Sequence, residues 1–505
     1  MGYYFISVGG TGTRVLESLT HLCVAGLLPN KNREGHLYAM AIDPDEGNGN
    51  LSRTQSLLQC VDGFQQMKVG QQIPFLKTEL KLAEPFVWSP VQRQVSLDQI
   101  IVYSNYQHQP IGKLYSALYT VDERLILLDE GFRGRPSIGA AVMAKKAQTD
   151  GNSVTQETAW QNLIQAINSD IRTNGSAQIF LAGSIFGGTG AAGLPTIAKI
   201  LRDQFKTECA QGKVRIGGAL LLPYFSFSPT AADKITSGIF ASSDNFLTNT
   251  KAALRYYADT SGGAYDSMYF VGDETLAPMA KFSTGKFQQK NDAHLVDFFA
   301  AMAAVDFFNN KDNGQNCYYI ARNDEDFFQW RDMPNVTAEG GEVISVRERF
   351  VQFTRFIFAY LHIIKPVWSD LALDTNSNEA YKFPWYKNYL QAIDHEESEV
   401  QKFEDYAVRF VKWLSQVESS TGKRSVKLID PKSFRLGNGG AIIDPNKFST
   451  LGYDNSKVTI DTIRTNLSRK PSNGGIFGRF FGPKQPDDTD AGFGKFIKLL
   501  YCSCR

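Results

Sequence analysis

Short apolar runs, each closed by glycine or proline and followed by an amphipathic stretch, recur through the first two-thirds of the chain. That alternation predicts an α/β fold, a parallel sheet covered by helices. Residues 3–8 read as a buried strand, followed by glycines and a helix over about 13–25. A second strand is expected over 37–42, ending in the acidic turn Asp43-Pro44-Asp45. A third is expected over 124–128, ahead of a Gly/Pro-rich loop and a helix from about Ile138. Residues 178–182 form the clearest middle strand, leading through a glycine-rich loop into a helix that runs to about Phe205. Further strands are expected over 216–222, stopped by Pro223, and over 267–271. Residues 291–308 read as one long helix, apolar on nearly every face, which predicts a path through the middle of the protein.

Beyond residue 311 the pattern loosens. Helices are expected over 350–364 and 386–417, short strands over 426–429 and 441–443, and a linker over 468–492, where Gly, Pro, Asp and Lys dominate. The last residues, KFIKLLYCSCR, turn apolar and basic again: a surface that docks on a partner or membrane, or a last helix packed on the body. No internal repeat is evident.

Composition bounds the function. A chain of 505 residues, 43% hydrophobic and 12% aromatic, is long enough for two or three domains with a real core. Fifty-three basic residues against 52 acidic ones give a net charge of +1, so no nucleic-acid partner is predicted from the overall field. Six scattered cysteines make neither a zinc pattern nor a disulfide framework, and Cys502 and Cys504 do not fit a lipid-anchor motif. With no leader-like or membrane-spanning run, the expectation is a soluble cytoplasmic protein. The six histidines make no ligand spacing, and no GxSxG motif marks a nucleophilic hydrolase.

Two segments repeat one design: strand, glycine turn, helix. The first carries Gly9, Gly10, Thr11, Gly12 and Thr13; the second carries Gly183, Gly187, Gly188, Thr189 and Gly190. Glycines let the backbone approach an anion, the helix start adds the positive end of its dipole, and threonine adds a hydroxyl donor. Either loop alone is equally a tight turn without a ligand. Neither is a Walker loop, since Ala191 and Ala192 follow Gly190 where a lysine is needed. The first also misses the GxGxxG spacing, having Val15 at the third position after Gly12.

The segment GSIFGGTGAAGLP resembles the signature phosphate loop of the tubulin/FtsZ superfamily, and five further pieces follow in that family's order. They are GGTGT at 9–13, IDPDEG at 42–47, RGRPSIG at 133–139, LLPYFSF at 221–227 and NDAHLVDFFAAMAA at 291–304. The resemblance covers about residues 1–310. It implies a Rossmann-type parallel-sheet GTPase domain (1–290), a central core helix (291–310), a smaller C-terminal α+β domain (311–465) and a flexible linker and tail (466–505).

It also implies roles. Gly187, Gly188, Thr189 and Gly190 would hold the α- and β-phosphates of GTP or GDP, with Gly9, Gly10, Thr11, Gly12 and Thr13 on the other side. Gly134, Ser137 and Gly139 would meet the γ-phosphate, beside the charges of Arg133 and Arg135, and Pro223 would lie near the ribose. Asn291 or Asp292 would read the guanine edge, or simply cap the helix. Asp43 and Asp45 would sit at a strand's carboxyl end and hold Mg²⁺ through water, or form a solvated turn. The family's NxDxxD-like catalytic motif is missing; the acids after the core helix include Asp326 and Asp332, either of which stands as the catalytic candidate or as a surface acid.

The leading expectation is therefore a bacterial tubulin-like GTPase that assembles head to tail, nucleotide at the subunit interface, into cytoskeletal filaments. The alternative is a non-hydrolysing guanine-nucleotide scaffold or switch in a multicomponent bacterial system such as phage defence. A dinucleotide-dependent oxidoreductase is the third class, but Asp43 lies too far from the first loop for the ribose and the second loop is left unexplained.

Overall fold

The computed structural model describes residues 2–28, 35–65, 75–91, 94–129, 131–132, 134–151, 158–226, 246–260, 263–273, 276–278, 287, 289–310, 316–320, 333, 335–337, 343–373, 383–394, 397–420, 434–437, 440–443, 460–468 and 492–505. The expected strand over 426–429, all but the two end residues of the linker expected over 468–492, Arg133, Asp326 and Asp332 lie outside the described residues. The chain divides into two compact units. The first is Met1–Thr20, Asn30–Leu58 and Leu80–Asp324; the second is His21–Pro29, Gln59–Glu79 and Glu325–Arg505.

The first unit is built on a seven-stranded, all-parallel sheet. Its strands are β1 (Gly2–Val8), β2 (His36–Ile42), β3 (Glu79–Trp88), β4 (Ala177–Ser184), β5 (Val214–Leu221), β6 (Ser267–Val271) and β7 (Asn316–Ile320). They lie in the order β3-β2-β1-β4-β5-β6-β7, so the sequence order reverses between β1 and β4. Every residue of β1, β4 and β5 is buried, as expected for strands covered on both faces.

Alternation along the strands sorts the two layers. Tyr4, Ile6, Val8, Ile179 and Leu181 share one core with residues of α3 (Pro136–Gly151), α4 (Ala159–Asn174) and α5 (Thr189–Gln204). On the other face Tyr3, Phe5 and Phe180 join Phe307 and Phe308 of α7 (Leu295–Asn309). All of α7 except Phe299 and Asp306 is buried, which explains its apolar character on every side. Asp306 accepts the Tyr269 hydroxyl at 2.7 Å. Completing this side are α1 (Gly9–Val24) and α2 (Gly49–Gln65), whose first parts belong to the first unit; α6 (Phe246–Thr260) packs on α5.

Three sequence expectations change in this unit. Residues 121–125 are a short helix instead of a strand, because Thr120 and Glu123 close a capping box around its start, and only Leu127 makes a bridge, to Ser96. The edge strand β3 escaped notice: it buries Leu80, Ala83, Phe86 and Trp88 but carries charged residues between them and Pro85 within it. The core helix starts at Leu295, four residues later than expected. His294 Nδ1 accepts the Val296 amide, and Asp297 accepts the His294 amide at 3.1 Å, so the cap is His294 and not Asn291.

The second unit is mainly helical. Its core sets Phe350, Phe353 and Phe356 of α8 (Val346–Ala359) against Phe403, Tyr406, Phe410 and Trp413 of α9 (Ser398–Ser419). The helix expected over 350–364 ends in a π-helical turn, Tyr360–Ile364, and that over 386–417 breaks between Tyr386–Leu390 and α9. The C-terminal segment is a packed helix, α10 (Phe493–Ser503), with Phe493, Phe496, Ile497 and Leu500 buried. Phe493 meets Trp368 and Phe403, and Tyr501 meets Phe356. Two antiparallel strand pairs add short strands, the second including Gly440–Ile443. No helix among the described residues is long and apolar enough to cross a membrane.

A Cβ on Gly12 would stand 2.2 Å from the Ala182 carbonyl oxygen of β4, so α1 approaches the sheet only without a side chain there. Gly12→Ala is expected to destabilise the protein by about 1–3 kcal/mol or more, whereas Gly151→Ala, with nothing within 4 Å, should be neutral or stabilising. Thermal melts of the two variants check this; equal effects would contradict it.

Candidate functional site

Open parallel sheets bind ligands beyond the carboxyl ends of the strands where strand order reverses. Here that position lies between β1 and β4, and both glycine loops sit there. β1 ends at Val8 and turns at Gly9, whose φ of +71° lies in the left-handed region, directly into α1. β4 ends at Ser184, and residues 185–188 lead into α5. The turns touch: a Cβ on Gly9 would come 3.3 Å from Thr189 Cβ, and one on Gly183 would come 2.7 Å from the Val8 carbonyl.

Burial separates the loop residues into two sets. Gly9, Gly12, Thr13 and Gly190 are buried and serve the packing, and the Thr13 hydroxyl donates to the Gly9 carbonyl at 3.0 Å. Gly10, Thr11, Gly187, Gly188 and Thr189 are partly exposed and form the open rim. The start of α5 has Gly188 as its cap and no side-chain cap hydrogen bond, leaving its first N–H groups for an anion.

The third loop rests on the second. A Cβ on Gly188 would fall 2.9 Å from the Gly134 nitrogen, and Gly139 packs against Ala192 and Phe132. Gly131 and Gly134 both have positive φ, and Pro136 opens α3. Ser137 is exposed and its carbonyl accepts the Tyr119 hydroxyl, while Arg135 pairs with Glu123 at 3.0 Å.

Asp43 and Asp45 follow β2, and both are buried. Asp43 Oδ1 accepts the Asp45 amide at 3.0 Å, and Asp45 Oδ1 accepts the Gly47 amide at 3.1 Å. Burial pushes the Asp43 carboxyl up to about 8, with the Asp45 charge adding to it against the Asp45 amide hydrogen bond. Among the described residues no group of three or more His, Cys, Asp or Glu side chains is placed to hold a metal ion. Two carboxylates suit Mg²⁺ only with water or phosphate oxygens completing the shell. A separate cavity of about 1040 Å³ opens beside this turn, lined by Asp45, Trp88, Asp129, Lys146 and Asp150 among others.

The segment before α7 is tied to α2. Asn291, partly exposed, donates its amide to Asn50 Oδ1 at 2.8 Å and accepts from Arg53 at 2.7 Å. Pro223 is buried at the end of β5, and Tyr224 follows it into a network that sequence reasoning missed. Arg14 Nε pairs with Asp297 at 2.9 Å, the Tyr224 hydroxyl donates to Asp297 at 2.6 Å, and Arg14 also donates to Tyr224. Burial opposes the Arg14 charge, but Asp297 and Tyr224 outweigh it and raise its pKa. The signal was present: one arginine and one aspartate on otherwise apolar helix faces require each other.

A carboxyl with a folded pKa above its unfolded value holds more protons folded than unfolded, so stability falls as pH rises through that window. For Asp43 the window runs from 3.8 to about 8. Asp43→Asn keeps the acceptor oxygen and should raise the ligand-free melting temperature by a few degrees at pH 8 and little near pH 4; equal shifts at both would contradict the buried-carboxyl account.

Comparison of the chain with protein-family models and with curated proteins returns no match, so its function has to be read from this site.

Proposed function

We propose that the chain is a tubulin/FtsZ-like guanine-nucleotide-binding protein, a GTPase that assembles head to tail with nucleotide at the subunit interface. The observation that carries the reading is the meeting of two glycine loops, each opening a helix, at the β1/β4 reversal. A dinucleotide site on this strand order uses one such loop; the second, with its uncapped helix start, supports a ligand with phosphates gripped from both sides.

In this reading Gly187, Gly188, Thr189 and the first N–H groups of α5 hold the α- and β-phosphates, and Gly10 and Thr11 approach from the other side. Gly134 and the start of α3 face the γ-phosphate. Asp43 and Asp45 would hold Mg²⁺ through water, where the ion supplies charge neutralisation for the phosphates. Asn291 or Asp292 reads the base, and Asp326 or Asp332 positions water for hydrolysis across the interface. Exposed apolar residues support self-assembly: Ile111, Leu114 and Leu118, with Val121 and Leu125, are each more than half exposed. The absence of the NxDxxD-like motif favours, as a second reading, a nucleotide-binding scaffold that does not hydrolyse.

Titration calorimetry with GTP, GDP, ATP and NAD tests binding. Guanine nucleotides should bind at least about tenfold tighter than the others, and Gly188→Val, which pushes the second loop off Gly134, should abolish it. NAD binding without GTP binding would overturn the reading. Pelleting with GTP against GDP, alongside phosphate release, tests assembly and turnover: nucleotide-dependent pelleting is expected, and identical monomeric behaviour with both would remove the polymer claim.

A further inference from the structure

Asn50 lies in the first turn of α2, is fully buried, and is held on both sides. Its backbone amide donates to Asn48 Oδ1 at 2.9 Å, and its own Oδ1 accepts the Asn291 amide at 2.8 Å. Because the Asn291 N–H must meet an oxygen, the other terminal atom of Asn50 is fixed as the NH₂ donor. That Nδ2 has no hydrogen-bond partner among the described residues. It stands 3.3 Å from where a Cβ on Gly10 would be, over the partly exposed start of α1. The neighbouring Asn48 Nδ2, 3.2 Å from the same point, donates one of its two hydrogens to Gln289 at 2.9 Å.

The setting is rigid. Arg53 bridges Glu17 of α1 and the Asn291 carbonyl, both at 2.7 Å, and Thr54 donates to the Thr13 carbonyl at 3.2 Å. A buried donor left unmade is unfavourable, and nothing in this packing lets Asn50 rotate to relieve it without breaking the bond to Asn291. Gly10 lacks the side chain that would fill the space in front of the amide. The donor and the N-terminal end of a sixteen-residue helix therefore point at one place.

We infer that Asn50 is a phosphate-binding residue of this site, its Nδ2 donating to an anionic oxygen held over Gly10. The inference rests on the nucleotide reading above and adds a contact supplied by α2, outside the glycine loops. Aspartate is the sharp probe: it keeps the Oδ1 acceptor for Asn291, replaces the donor with an acceptor, and sets a negative charge against phosphate.

The test is calorimetry on the full chain with GTP, GDP, pyrophosphate and guanosine, for wild type, Asn50→Asp and Asn50→Ala, each first checked by circular dichroism melts. Asn50→Asp should weaken GTP, GDP and pyrophosphate about 10–100-fold and leave guanosine unchanged, with Asn50→Ala weaker by about tenfold. Wild type that binds GTP while both variants bind it equally well overturns the Asn50 assignment alone. Loss in Asn50→Ala with full binding in Asn50→Asp would move the contact to a ribose hydroxyl and overturn the phosphate claim. Wild type that binds neither GTP nor pyrophosphate removes the nucleotide reading itself.

Discussion

The architecture of the first unit depends on the backbone-to-backbone approach of two strand-to-helix turns. Gly12 lets α1 lie against the Ala182 carbonyl, and Gly183 lets β4 lie against the Val8 carbonyl. Any side chain at either position collides with main chain, which cannot yield as a flexible side chain can. Once the turns meet, the starts of α1 and α5 come together at the reversal of strand order, with the third loop resting on Gly188. A positive potential concentrated in this way is unfavourable when empty and favourable with an anion.

A buried electrostatic network fixes the opposite wall. Asp297, on the first turn of the core helix, joins Arg14 of α1 and Tyr224 of the loop after β5. Removing one partner from such a pair leaves a charge buried alone, which costs far more than the pair contributes. Three separate segments are thereby held together. Asn48, Asn50 and Arg53 perform the same service between α2 and the segment before α7.

Central strands were readable from sequence because burial on both faces makes them largely apolar, as in GYYFISV and AQIFLAGS. Edge strand β3 was not, since charged residues and a proline interrupt its buried positions. The short helix after Thr120 was mistaken for a strand because Leu125–Leu128 looks apolar while the capping box sits just before it. Within the site the glycines were readable but their division of labour was not. Whether Thr13 faces a ligand or bonds to Gly9, and whether Gly12 serves contact or packing, depends on how two loops 170 or so residues apart meet. Asn50 was invisible for the same reason: a lone asparagine acquires meaning only when one end is fixed and the other is left without a partner.

The central claim is that phosphates sit between the two loops. The most direct measurement is an experimental structure of the chain with a non-hydrolysable GTP analogue and Mg²⁺. The account predicts the triphosphate against Gly10, Thr11 and Gly187–Thr189, with the ion near Asp43 and Asp45 and the base toward Asn291. Nucleotide seated elsewhere, such as in the cavity lined by Trp88 and Asp150, with an empty crevice between the loops, would contradict it.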